Sequence, residues 1–453
     1  MRGGNLRKKI LQAGIWTVGG HVLSQVLRLG GNVLLTRLLM PEMFGVMMLA
    51  TVVMIGVNMF SDIGLRQVVI RSNRALQPDF YNTVWTIQVI RGLLIGTFLV
   101  LLGLMIGFLS SADVFPTDSA YANPSLSWVL VGLAATAVFQ GIESTKAFLA
   151  QRDMEVYRTT AIELTSQLAS LAVMLAWAWE SPTVFALVAG AIVASIVKAT
   201  ATHWFLPGPP NTLRWDSTSA REVFSLGSWV FLTSIFGFLV TSGDRLIFGW
   251  ILTTEELGLY ALATLLVLAA HEIVNKLISH VAFPALSAIH RNNPKDLTAA
   301  FYRLRLPIDA VCLIGAGLMF ASAETIVDIL YSERYTAASS YLATLALTLV
   351  SLRFSVASQM FFVIGEARLM FEIQIARLCT LVLGVPIGFN VWGVQGALWA
   401  VVLSFWAGMF MNLLIYMPRH RLINYPKEIA LLSFGVIGLA TGWLINSIYG
   451  NWL

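Results

Sequence analysis

Six basic and six acidic side chains stand inside long apolar stretches of this sequence. The bases are Arg28, Arg91, Arg245, Lys276, Arg353 and Arg377; the acids are Asp62, Glu143, Glu163, Asp244, Glu272 and Asp309. An Arg or Lys held at the centre of a membrane helix costs about 2.5–3.5 kcal/mol on insertion scales, so each such residue needs a physical reason. Residues three or four apart share a helix face, and on that spacing Asp62 with Arg66, Glu143 with Lys146, Glu272 with Lys276 and Asp309 with Arg305 form local pairs that need no function. Arg28, Arg91, Arg245, Arg353 and Arg377 have no acid at that spacing, and Glu163 and Asp244 have no base. Five bases against two acids leave an excess of positive charge that an anionic ligand would neutralise. A pyrophosphate suits this set, because the guanidinium fork donates paired hydrogen bonds to phosphate oxygens.

Polar residues recur along the same stretches. Thr17, His21, Ser24, Gln25, Arg28 and Asn32 fall at spacings of three and four and so line one helix face. Ser234, Thr241, Asp244 and Arg245 form a second stripe, His271, Asn275 and Ser279 a third, and Gln374, Arg377 and Thr380 a fourth. Stripes of this kind also arise from hydrogen bonding between packed helices, but with an Arg at the centre they predict a hydrated cavity. The expected binding residues are Arg28, Arg91, Arg245, Arg353, Arg377, Gln25 and Asn32, with Asp244 and Glu272 expected to carry a coupling proton or cation.

Other chemistries find no support. No Walker A motif occurs, and Gly315-Ala316-Gly317 lacks a third glycine, so no nucleotide cofactor is expected. His271-Glu272 is followed by Asn275, where a zinc-protease motif needs His, and Cys312 and Cys379 both sit in apolar runs with no metal-ligand spacing. No catalytic set emerges, and the outer loops are too short for a polymerase or ligase, so the chain is not expected to be an enzyme.

The elements that must position these residues follow from composition. Of 453 residues, 57% are hydrophobic and only 12% charged, about half the charge fraction of a soluble domain, so lipid is the solvent. About 20 mostly apolar residues cross the hydrocarbon core, and thirteen stretches qualify: roughly 11–37, 44–63, 80–109, 126–148, 156–179, 183–203, 222–250, 257–281, 303–321, 338–363, 369–389, 393–417 and 428–449. The basic N-terminus Met1 to Lys9 precedes an apolar run without a cleavage site and reads as the start of a retained helix. With that end cytoplasmic, one set of loops collects Arg2, Arg7, Lys8, Lys9, Arg66, Arg71, Arg74, Lys146, Arg152, Arg158, Lys198, Arg214, Arg221, Arg291, Lys295, Arg303, Arg305, Arg368, Arg419, Arg421 and Lys427, whereas the opposite loops hold only Arg37 and Arg334. The net charge of +5 is therefore an orientation signal, not a nucleic-acid surface.

Internal symmetry is also present. Gly14 and Trp16 match Gly227 and Trp229, Glu42 matches Glu255, Gly45 matches Gly258, and Leu49-Ala50-Thr51 matches Leu262-Ala263-Thr264, all at one offset. The expected architecture is all-α and polytopic: two six-helix lobes, 1–205 and 221–417, joined by a cytoplasmic linker, 206–220, with an additional transmembrane helix in 418–453. The lobes are expected to enclose a central cavity in a pseudo-twofold arrangement.

The run Trp16-Thr17, Gln25, Leu34 to Leu39 with Arg37, Pro41, Phe44-Gly45, Leu49-Ala50 and Ser61-Asp62-Ile63-Gly64-Leu65 resembles the N-terminal signature of polysaccharide transporters. These are the Wzx-like oligosaccharide flippases of the multidrug/oligosaccharidyl-lipid/polysaccharide superfamily. The resemblance is strongest over residues 10–75 and extends more loosely through Gly258, Tyr260 and Pro284. It implies flipping of undecaprenyl-pyrophosphate-linked oligosaccharide across a bacterial cytoplasmic membrane for exopolysaccharide, capsule or O-antigen. It implies membrane lipids, a polysaccharide polymerase and a chain-length regulator as partners. A cation-coupled multidrug antiporter and a lipid II flippase share the fold and are the alternatives. A single helix after the twelve-helix core departs from the fourteen-helix members.

Overall fold

Lipid offers no hydrogen bonds, so a chain this apolar satisfies its backbone within helices. The computed structural model describes residues 2–153, 155–292, 297–420 and 422–450, and among these no strand occurs. Within the helices, the side chains of 2–15, 17–18, 225–233, 280–281, 292, 298, 367 and 450 are outside the description. Arg2, Arg7, Lys8, Lys9, Gly14, Thr17, Gly227, Trp229, Lys295 and Arg421 therefore lie beyond it.

The crossing-length helices are α1 (Arg2–Thr36), α2 (Pro41–Phe60), α3 (Pro78–Ser111), α4 (Pro124–Ile142), α5 (Val156–Glu180), α6 (Phe185–Trp204), α7 (Ser217–Ile251), α8 (Thr254–Leu277), α9 (Leu297–Ala321) and α10 (Ala338–Val363). A continuous run, Ala367–Met411, breaks at Trp392 and at Gly393, which has φ 60° and ψ −146°, giving α11 (367–391) and α12 (394–411). Helix α13 spans Tyr425–Tyr449. Thirteen spans are expected from the sequence; among the described residues ten segments are long and apolar enough to cross a membrane, with the bent run Arg368–Arg419 counted as one and α1 and α7 not among them. Pro41, Pro78 and Pro124 open α2, α3 and α4 at the position where a missing N–H costs nothing. Helix α8 opens on a capping box between Thr253 and Glu256. Helices α2 and α8 begin at Pro41 and Thr254, the same 213-residue offset that relates Glu42 to Glu255.

The chain forms two compact units, Met1–Leu239 and Val240–Leu453, with α7 contributing to both. In the first, α3 and α4 approach so closely at Gly92 and Gly141 that a Cβ on either would strike the other's backbone. Ser127 Oγ donates to the Gly103 carbonyl at 2.8 Å along the same seam. Without a hydrophobic drive between helices in lipid, such small-residue seams supply packing. The segment leading into α7 is pinned along the start of α3. Thr212 N donates to Asn82 Oδ1, Asp216 N to Thr83 Oγ1 and Arg214 N to Thr86 Oγ1, each at 2.9 Å.

In the second unit α13 packs on α9. Gly438 abuts Ile314, Gly442 abuts Leu318 and Ala321, and Asn446 Nδ2 donates to the Ala321 carbonyl at 2.6 Å. Two local pairs expected from spacing do not form, for one reason: the helix ends before the pair. Helix α2 stops at Phe60, and Asp62 Oδ1 instead accepts from Gly64 N at 2.9 Å. Helix α4 stops at Ile142, so Glu143 pairs with Lys198 at 3.3 Å while Lys146 Nζ donates to the His203 carbonyl.

Candidate functional site

Four of the expected binding and coupling residues, Asp244, Arg245, Glu272 and Arg377, converge in the second unit. A cavity of about 320 Å³ there is walled by Asp244 and Arg245 from α7, Tyr260, Thr264, His271, Glu272 and Asn275 from α8, Thr348 from α10, Arg377 from α11 and Phe405 from α12. That volume is at the lower end of small-molecule sites, about 300–1,000 Å³. The Arg377 guanidinium lies 4.2 Å from the centre of the Phe405 ring and its Nη1 donates to Gln374 Oε1 at 3.2 Å. Its buried Nε makes no hydrogen bond among the described residues, and the same holds for Arg245 Nε. Asp244 accepts the hydroxyl of Tyr260, a fully buried side chain, and is within electrostatic reach of Arg377. Asp244 and Arg377, 133 positions apart in the sequence, thus face one polar space.

Irregular backbone surrounds this space. Helix α10 is interrupted at Leu347, whose carbonyl accepts from Trp406 Nε1 at 3.0 Å, and again at Arg353-Phe354. Helix α8 continues into a π-turn at Ile278–Ala282. The ring of buried His271 meets Thr348 Oγ1 at 3.1 Å, just past the first interruption. Broken helices at membrane depth are tolerated where they are buried or line a cavity, and they occur here where the polar side chains gather. A second hollow of about 240 Å³ shares Asn275, Ser355, Arg377 and Phe405, so Arg377 stands where the two meet.

Arg353 is not in that group. It belongs to a buried ionic cluster with Arg305, Asp309 and Glu428. Arg305 Nε donates to Asp309 Oδ1 at 3.0 Å, and its Nη1 and Nη2 donate to Glu428 Oε1 at 2.6 Å and Oε2 at 2.9 Å. Arg353 Nη2 lies 3.4 Å from Glu428 Oε2. The Arg305 and Arg353 guanidiniums stand 4.5 Å and 4.7 Å from the centre of the Phe354 ring. The local pair of Asp309 with Arg305 forms as spacing predicts, but Arg305, expected in a cytoplasmic loop, has no exposed surface. Glu428 escaped the sequence reading, and it removes one base from the expected positive excess. Only its position beside the apolar start of α13 hinted at burial.

The remaining residues lie in the first unit. Arg91 Nη2 donates to the Asn58 carbonyl at 2.7 Å and its Nε to Ser61 Oγ at 3.1 Å, in a hollow of about 300 Å³ that also takes in Asp62, Arg66, Gln88 and Glu143. Gln25, Arg28 and Asn32 share a half-buried face of α1, where Asn32 Nδ2 donates to the Arg28 carbonyl at 2.7 Å. No cluster of His, Cys, Asp or Glu suited to a metal occurs among the described residues.

A family profile described as "Polysaccharide biosynthesis protein" matches residues 34–340. The lipopolysaccharide biosynthesis protein WzxC of Escherichia coli (strain K12) is 23% identical over 337 residues, covering 73% of this chain and 65% of that protein. The chain thus aligns with just under two thirds of that relative's length. Among solved structures, the lipid II flippase MurJ in an inward closed conformation superposes with a TM-score of 0.69 at 13% identity, over 96% of this chain and 92% of that one. An inward-facing MATE family multidrug resistance transporter of the MOP superfamily gives 0.65 at 14% identity, over 88% and 94%. At such identities the likeness is one of fold: an all-α, multi-pass membrane architecture.

Proposed function

The chain belongs to the polysaccharide biosynthesis protein family, and from that premise we propose that it flips lipid-linked oligosaccharide across the bacterial cytoplasmic membrane, its N-terminus on the cytoplasmic side. The family match carries the reading. The two alternatives, lipid II flipping and multidrug antiport, rest on likeness of fold alone.

The arrangement of side chains supports an anionic substrate. Arg377 and Arg245 each keep a buried Nε without a hydrogen bond among the described residues, which leaves donors for the oxygens of a pyrophosphate. Gln25, Arg28 and Asn32 along α1, and Arg91 in the first unit, are assigned to phosphate and sugar hydroxyls. Arg353 is assigned to the ionic cluster instead. Asp244, beside Arg377 and Tyr260, and Glu272 are assigned to coupling by a proton or cation. Residues 1–205 and 221–417 are taken as the two halves whose relative motion alternates access, with the polymerase and chain-length regulator acting on the exported repeat unit. No bond-making chemistry is assigned to the chain.

Deletion of the gene tests this. Loss of surface polysaccharide, with lipid-linked repeat units retained on the inner leaflet and export restored by the wild-type gene, is the expected result. Normal polymer together with new sensitivity to cationic drugs would overturn the substrate assignment.

A further inference from the structure

A groove of about 500 Å³ runs between α9 and α13 and shares no lining residue with the cavities at Arg377. Its walls include Tyr302, Arg303 and Leu306 from α9 and Lys427, Leu431 and Phe434 from α13. Arg303 and Lys427 are exposed, and neither makes an ion pair among the described residues. The adjacent carboxylate, Glu428, is turned inward and committed to Arg305 and Arg353. Lys427 Nζ rests 5.2 Å from the centre of the Tyr302 ring, which holds the ammonium at the mouth of the groove.

The charged and apolar residues are ordered by depth. At 1.5 Å per residue, Leu431 lies roughly 6 Å and Phe434 roughly 10 Å further along α13 than Lys427. Leu306 lies about one turn further along α9 than Tyr302 and is half exposed. Two cations at one end and an apolar trough leading from them match the order of phosphate and acyl chain in a phospholipid. Both bases also open the apolar spans Ala299–Ala321 and Tyr425–Tyr449, the depth at which headgroups sit. Basic pockets between membrane helices on the cytoplasmic side attract anionic headgroups.

We propose that the groove between α9 and α13 is a binding site for an anionic phospholipid of the surrounding bilayer, its phosphate held by Arg303 and Lys427 and one acyl chain laid along Leu306, Leu431 and Phe434. The site is separate from the proposed transport pathway and does not depend on the substrate assigned above.

The test uses the full-length chain in neutral detergent, with its melting temperature followed during titration of phosphatidylglycerol, phosphatidylcholine or glycerol 3-phosphate. Phosphatidylglycerol is expected to raise the melting temperature saturably, whereas the zwitterionic lipid and the tail-less phosphate are not. Each surface base near an anionic membrane contributes about 1 kcal/mol. Arg303→Gln with Lys427→Gln is therefore expected to weaken the apparent affinity roughly thirty-fold, and either single change roughly five-fold. The charge-retaining pair Arg303→Lys and Lys427→Arg should bind as the wild type does. Arg71→Gln with Arg221→Gln, which removes the same charge from two exposed positions of the first unit, should also leave binding intact. Should the double glutamine variant not fold, the single variants carry the comparison. Unchanged affinity in the glutamine variants, equal loss in the Arg71/Arg221 control, or stabilisation by glycerol 3-phosphate alone would overturn the site.

Discussion

Replacing Glu428 exposes the energetics of the second unit most directly. Its carboxylate receives both Nη groups of Arg305, at 2.6 Å and 2.9 Å, the hydroxyl of Tyr302 at 3.1 Å, and the Arg353 guanidinium at 3.4 Å. Two guanidiniums and two carboxylates make the cluster neutral. Glu428→Gln leaves one uncompensated positive charge around Arg305, which has no exposed surface. Breaking a buried pair in this way costs about 3–5 kcal/mol. Gln retains one accepting oxygen and should fall at the lower end, Ala at the upper. Arg353→Met leaves the opposite imbalance and should also destabilise. Combining Glu428→Gln with Arg353→Met restores neutrality around Arg305 and Asp309, so the double variant should lose less than the sum of the two, by about 0.5–3 kcal/mol. Unfolding free energies in mixed micelles measure all four corners of this cycle, with export assayed in parallel. If Arg353→Met leaves stability untouched but abolishes export, and the cycle shows no coupling, Arg353 contacts substrate and the structural assignment is wrong.

Three further outcomes are expected. Arg377→Gln should reduce export by at least tenfold at unchanged protein level; Arg377→Lys should fail nearly as badly, because an ammonium cannot reproduce the paired donors of the guanidinium, and full export by the lysine variant would refute a bidentate role. Gly92→Val should wedge α3 from α4 at Gly141, costing about 1–3 kcal/mol by overpacking; a melting temperature equal to the wild type would show that the seam is looser than described. Asp216, ahead of α7, accepts from Ser219 N and from the hydroxyls of Ser219 and Thr218, which hold its carboxyl below the usual range. Its contribution to stability is present above the unfolded-state pKa and lost as pH falls through the depressed folded value. The stability gap between wild type and Asp216→Ala should therefore be constant above about pH 4 and narrow below it; a gap that widens on acidification would refute the capping role.

The long apolar helices were legible because hydropathy is a property of each segment alone. Pairing was legible only where a helix continues, as at Arg305 and Asp309. At Asp62 and Glu143 it failed, since spacing along the chain says nothing once the helix has ended. The Glu428 cluster joins residues 123 apart, beyond the reach of any periodicity. Arg305 illustrates a related limit: a base near the end of a span counts toward orientation whether it faces water or, as here, the protein interior. The convergence of Asp244 and Arg377 on one cavity likewise depends on how α7 and α11 pack, which single-helix stripes foreshadow without fixing.

The break between α11 and α12 has a consequence for biosynthesis. Only Trp392 and Gly393 depart from helical geometry, and the helices meet at once, with Gly388 against Gly396 and Gly384 against Ala400. So short a bend leaves no hydrophilic segment to be threaded across the membrane after the first helix has entered. The two halves must therefore leave the translocon side by side, as a closed pair already holding its glycine contact. A reporter tag spliced in at residue 393 would force them to insert singly, and Arg377, well inside α11 and away from both its ends, would then have to enter lipid before Phe405 arrives to cover it.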